Sequence, residues 1–98
     1  MYFRPRIRID NIGDRGTTVS KVEIVFKLNN EEFTELAEGD LLQNNKIDAH
    51  STVDLSPLFY SYDETIRAFK RQRKIKCTFT LFHTHGKVTI EGTSVRMK

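Results

Sequence analysis

Residues 73–90, RKIKCTFTLFHTHGKVTI, constrain the fold more than any other part of the chain. Ile75, Cys77, Phe79, Leu81 and His83 alternate with Lys76, Thr78, Thr80, Phe82 and Thr84, the period-two pattern of a strand with one buried face. Beyond a turn, Val88 and Ile90 are apolar while Lys87, Thr89 and Glu91 are polar. Both apolar sets share one face only if odd-numbered residues of the first strand lie opposite even-numbered residues of the second. A two-residue loop at His85-Gly86 meets this condition and predicts Thr84 opposite Lys87, His83 opposite Val88 and Leu81 opposite Ile90.

The rest of the chain repeats the alternation. Residues 2–10 read as a strand with Phe3, Ile7 and Ile9 inward and Arg4, Arg6, Arg8 and Asp10 outward. Pro5 lacks a backbone donor, which places this strand at a sheet edge, and the outward arginines discourage stray edge pairing. Residues 11–18, NIGDRGTT, are turn chemistry, and their glycines lack the spacing of a phosphate-binding loop. Next, Val22, Ile24, Phe26 and Leu28 point inward and Lys21, Glu23 and Lys27 outward over residues 19–28. Val19 breaks that parity, so a bulge is expected near Ser20. Asn29-Asn30 then predicts a tight turn into a short strand over 32–36.

Turns bracket Leu41 and Leu42 as a short apolar anchor. Ile47, Ala49, Ser51, Val53 and Leu55 alternate with Asp48, His50, Thr52 and Asp54, predicting one strand that ends at Ser56-Pro57. Ser61 and Glu64 have capping-box spacing, and Tyr62, Ile66 and Phe69 share a helical face, which predicts a helix over 62–71. Near the C-terminus Val88 and Ile90 differ in parity from Val95 and Met97, and a bulge at Gly92-Thr93 would return both sets to one face. The expected architecture is all-β: a single domain over residues 1–98, an antiparallel two-sheet sandwich of six or seven strands with one short helix, a closed barrel being the alternative.

Composition agrees with one soluble domain, since 38% of residues are hydrophobic and 30% charged. No apolar run reaches membrane-spanning length, and the N-terminal MYFRPRIRID interleaves arginine with apolar residues where a secretory signal is continuous. A cytoplasmic protein with no membrane partner is the expectation. Cys77, the single cysteine, has the inward parity of its strand and reads as an inert core residue. Charge is uneven: residues 1–49 hold 7 Lys/Arg against 9 Asp/Glu, net −2, and residues 50–98 hold 9 against 4, net +5.

The run Ile9-Asp10-Asn11-Ile12-Gly13, followed by Thr17-Thr18-Val19-Ser20-Lys21-Val22, resembles the first two strands of prokaryotic immunoglobulin-like modules, with a looser echo at residues 79–88. The sequence departs from the antibody-type pattern: it has no Trp and no second Cys, and Ile75 stands where a corner tyrosine is expected two residues before Cys77. The resemblance implies a sandwich used for adhesion, spacing or partner contact, with no shared active site and hence no catalytic residue to carry over.

Candidate chemistry is sparse. His83 and His85 form an H-x-H that suits a transition metal on a straight strand, but the predicted turn separates them and no acidic or Cys partner is near, so a structural role is preferred and no cofactor is expected. His50, Ser51 and Asp54 cannot form a triad, because adjacent strand residues face opposite ways. The most distinctive functional signal is basic: Lys70, Arg71, Arg73, Lys74 and Lys76 precede a strand that carries outward Phe82. Cations for phosphates and an aromatic for base stacking are the tools of a sheet-faced nucleic-acid binder. The competing readings are a solvated helix end and, for Phe82, cover by the helix, by another domain or by a second copy. The balance favours a non-catalytic interaction or structural module with a protein partner, and a small basic nucleic-acid-binding β domain is the alternative.

Overall fold

The computed structural model describes residues 2–28, 30–60 and 77–98. The helix expected over 62–71 lies outside the described residues. Within them the chain is all-β, and it contains β1 (Tyr2–Phe3), β2 (Ile7–Asn11), β3 (Thr17–Leu28), β4 (Glu31–Glu38), β5 (Leu42–Gln43), β6 (Lys46–Ile47), β7 (Thr52–Pro57), β8 (Phe59–Tyr60), β9 (Cys77–His83), β10 (Gly86–Glu91) and β11 (Ser94–Met97). A single 3₁₀ turn at Gly39–Leu41 joins β4 to β5 among the described residues.

Two main sheets form from these strands. The larger runs β10-β9-β3-β4, with β6 paired to the start of β3; the second runs β11-β2-β7-β5; and β1 and β8 make a two-stranded piece. Inward residues of both sheets meet in one hydrophobic core: Val19, Val22, Ile24, Phe26, Phe79 and Leu81 from the larger sheet and Ile7, Ile9, Leu55 and Met97 from the second. Burying a side chain of this size contributes about 1.5–3 kcal/mol each relative to leaving it in water, so alternate positions along each strand are fixed by hydrocarbon.

The parity argument holds where hydrocarbon decides it. Phe79 and Leu81 are buried, and Val88 and Ile90 pack against the core from β10. The bulge expected near Ser20 is present: Val19 lies opposite His83 and Lys21 opposite Phe82, so Ser20 is the extra residue. It lets Val19 and Val22, of opposite parity, both be fully buried.

Other expectations need correction. The hairpin is shifted by one residue in each strand, with Gly86 opposite His83, Val88 opposite Leu81 and Ile90 opposite Phe79. Its two loop residues are therefore Thr84 and His85. The positive φ falls on Gly86, at 137°, the first residue of the returning strand, because only glycine tolerates that backbone there. Faces are preserved because the shift moves partners by two in sum. Pro5 does not put residues 2–10 at a sheet edge: it interrupts the segment, and β2 starts at Ile7 with all its donors and sits between β11 and β7.

The strand expected from Ile47 to Leu55 is broken at residues 48–51, where His50 takes φ 55°. Here the chain leaves β6, which pairs with β3, and enters β7, which pairs with β2; a continuous strand cannot belong to both layers. The same reason overturns the expected bulge at Gly92-Thr93. Gly92, at φ 96°, turns the chain from β10 in the larger sheet to β11 in the second. There β11 runs parallel to β2, with Ser94 opposite Arg8 and Met97 opposite Asn11, so the sheets are not wholly antiparallel. These breaks raise the strand count above the expected six or seven.

Candidate functional site

Residues that point away from the core on the larger sheet form a grid whose rows follow the strand registers. One row reads Glu38, Lys21, Phe82, Lys87; the next Leu36, Glu23, Thr80, Thr89; the third Thr34, Val25, Thr78, Glu91. Opposite charges alternate across it, and the Thr80 and Thr89 hydroxyls share a hydrogen bond of 3.0 Å. The Lys21 ammonium lies 4.3 Å from the centre of the Phe82 ring, a cation–π contact that covers one ring face.

The lateral edges of this sheet are β4 and β10, each paired with a strand on one side only among the described residues. Backbone direction in β10 follows from its hairpin. The pair that closes a two-residue loop, His83 and Gly86, exchanges backbone hydrogen bonds, and the exchange recurs at alternate pairs. Gly86, Val88 and Ile90 therefore bond to β9, while the N–H and C=O groups of Lys87, Thr89 and Glu91 point away from it. The Thr80–Thr89 side-chain contact agrees, since side chains come closest in pairs that do not exchange backbone bonds. By the same rule Glu32, Thr34, Leu36 and Glu38 direct their backbone groups outward from β4. The β4 edge thus carries carboxylates at both ends, a pattern that repels strand addition, whereas β10 carries one cation, one threonine and one carboxylate.

The histidines occupy the end of the sheet where the 84–85 turn meets the 12–16 loop. His85 N–H donates to His83 Nδ1 at 3.3 Å, so Nδ1 holds the lone pair and the Thr17 hydroxyl donates to it at 3.2 Å. Desolvation first, and then the nearby His85, lower the His83 pKa. His85 Nε2 donates to the Gly16 carbonyl at 3.2 Å, and the two ring centres are 6.4 Å apart. His85 is thus engaged with the loop, and His83 with Thr17 at the start of β3. His50 Nε2 and Asp14 Oδ1 approach to 2.8 Å on the surface. No group of three or more His, Cys, Asp or Glu side chains comes together as a metal site among the described residues.

Asn11 ties this end together from inside. It is 3% exposed; its Nδ2 donates to the Arg15 carbonyl at 2.9 Å and the Asp48 carbonyl at 3.1 Å, and its Oδ1 accepts from Gly13 N–H at 3.0 Å. Gly13 has no room for a side chain, since a Cβ there would lie 2.8 Å from the backbone of Lys98.

Of the residues the sequence singled out for binding, Lys70, Arg71, Arg73, Lys74 and Lys76 lie outside the described residues. Phe82 is half-buried under Lys21 and not fully outward-exposed. It also stands five residues beyond Cys77, about 17 Å along the strand at about 3.3 Å per residue. Cys77 is half-buried, and desolvation raises its pKa, which suits an inert thiol. The residues that sequence reasoning passed over are Lys87, Thr89 and Glu91. Their outward parity was legible, but their place at an open edge follows only once β11 has left for the other sheet.

No helix among the described residues is long and apolar enough to cross a membrane. No protein-family profile, curated protein or solved structure matches this chain.

Proposed function

We propose that the chain is an immunoglobulin-like β-sandwich that serves in the cytoplasm as a non-catalytic interaction module, taking a protein segment onto the open edge of β10. One observation carries this reading: β10 presents outward backbone groups at Lys87, Thr89 and Glu91 beside half-buried Val88 and Ile90, while carboxylates guard the other edge. An extended segment added there gains backbone hydrogen bonds and covers apolar surface, which is how strand addition supplies affinity. The chemistry of the candidate reactive groups points the same way. Burial disfavours the Cys77 thiolate, and the His83 lone pair is taken up by Thr17 and His85.

A nucleic-acid interface on the outer face is less well supported. Lys21 occupies one face of Phe82, and Glu23, Glu38 and Glu91 share the grid with its lysines. The test is selection of extended peptides displayed against the immobilised protein, with labelled single-stranded DNA and RNA titrated in parallel at low and high salt. The interaction reading expects peptides whose binding is abolished by Thr89→Pro, which removes an outward donor without breaking the β9 ladder, and retained by Leu36→Pro on β4. Oligonucleotide affinity that falls steeply with salt, with no peptide binding at β10, would replace it with the nucleic-acid reading.

A further inference from the structure

The outward pattern of β10 is complementary to itself. Read in either direction, the residues that offer backbone groups at the open edge are a charge, a threonine and the opposite charge: Lys87, Thr89, Glu91. We infer that the segment taken up by β10 is β10 of a second copy of this chain, in antiparallel register about a two-fold axis through Thr89. The inference rests on the reading of β10 as the contact edge and names its occupant.

The register follows from the geometry. Outward-pointing residues must pair with outward-pointing residues for their N–H and C=O groups to meet. With Thr89 on the axis, Lys87 lies opposite Glu91 of the second copy, Thr89 opposite Thr89, and Glu91 opposite Lys87, giving about six backbone hydrogen bonds between copies. The two Lys–Glu pairs fall on the outer face, where opposite charges across strands are favourable. On the core side Val88 meets Ile90 of the second copy. Both are only half-buried although they pack against the core, so the contact extends an apolar layer that ends at β10 among the described residues.

Alternative registers fit less well. Sliding by one outward pair leaves Lys87 or Glu91 opposite threonine. Sliding by two sets Lys87 against Lys87 or Glu91 against Glu91, which repels. The β4 edge offers no such match, because Glu32 and Glu38 at its two ends would face each other in every antiparallel self-pairing centred on the strand. The product is one continuous sheet, β4-β3-β9-β10 joined to the same strands in reverse order, with both copies' second sheets on one side. An isologous contact of this kind closes at two copies and does not propagate into a fibre.

Sedimentation velocity on the full chain, diluted from millimolar to low micromolar protein, measures the association. Dimers that dissociate on dilution are expected, with Lys87→Glu and Glu91→Lys each weakening the dimer by about tenfold through two like-charge pairs. The combined K87E/E91K swap should return affinity to near wild type. For a direct reading of register, Thr89→Cys in a Cys77→Ala background should oxidise to a covalent dimer, since Cα atoms in such a pair lie about 5.5 Å apart, within disulfide reach. Thr34→Cys on β4 should not. A chain that stays monomeric at millimolar concentration overturns the inference, and so does a dimer that neither cross-links through position 89 nor recovers in the charge swap. A monomer that still binds extended peptides in a manner abolished by Thr89→Pro removes the second copy as occupant and leaves β10 as the contact edge.

Discussion

The two main sheets share a core but are wired differently. The larger one contains two hairpins, β3-β4 and β9-β10, laid side by side, so half of its registers are set by short turns. The second has no hairpin among the described residues: β2 pairs with β7 and β11, and β7 pairs with β5, none of them consecutive in the chain. Registers in the larger sheet can be argued from alternation and turn chemistry. Those in the second depend on loops that bring distant segments together, and the polar network around Asn11 does that work at one end.

The largest effect should come from removing a core side chain on each side of this divide. Leu81→Ala in the larger sheet and Ile9→Ala in the second, both fully buried, should each cost about 2–5 kcal/mol in denaturant unfolding. Their kinetics should differ. If local hairpins form first, Leu81→Ala mainly slows folding and Ile9→Ala mainly speeds unfolding. Equal partition of the two losses between folding and unfolding rates would break the comparison.

Asn11→Ala probes the loop network of the second sheet alone. Removing the side chain leaves the Gly13 N–H and the Arg15 and Asp48 carbonyls without this partner, and should cost about 1–3 kcal/mol. Hydrogen exchange sharpens the result. Protection should fall first in β2 and β11 while the amides of β9, paired on both sides, keep theirs. A uniform loss would mean that the two sheets open as one unit.

The smallest effect is a pH dependence seated where the two regions meet. His83 has its pKa lowered from the ordinary 6.5, so the unfolded chain takes up a proton before the folded one. Stability from this group is complete above that value and declines as pH falls below it toward the lower folded-state pKa. The Tm should therefore drop as pH is lowered through this window, and His83→Gln should flatten that part of the profile. An unchanged profile in the variant would show that the lone pair held by Thr17 and His85 does not contribute.

How much of this was legible varies with the residue. The burial of Phe79, Leu81, Val22, Ile24 and Ile9 and the bulge at Ser20 follow from hydrophobic parity, because water excludes the same side chains wherever the strand sits. The hairpin register missed by one residue in each strand because two placements of the turn satisfy the same parity. Only the backbone at Gly86 distinguishes them. Gly92 and His50 misled for a different reason: alternation continues through His50, and the parity change at Gly92 fits a bulge as well as a corner, yet the chain changes layers at both. As for the candidate site, the outward character of Lys87, Thr89 and Glu91 was readable, and their availability was not.

By itself the sequence determined which side chains avoid water, and hence that the chain builds sheets with one oily face each. Period-two patterning is a local property, and every strand reports it independently. Only the tertiary structure decided which strands are neighbours, that β2 lies between β7 and a parallel β11, and that among the described residues β10 ends its sheet with backbone groups facing out. Adjacency is set by the packing of segments far apart in the chain, and the energy that chooses among pairings of equal parity is carried by loops and by a few buried polar contacts.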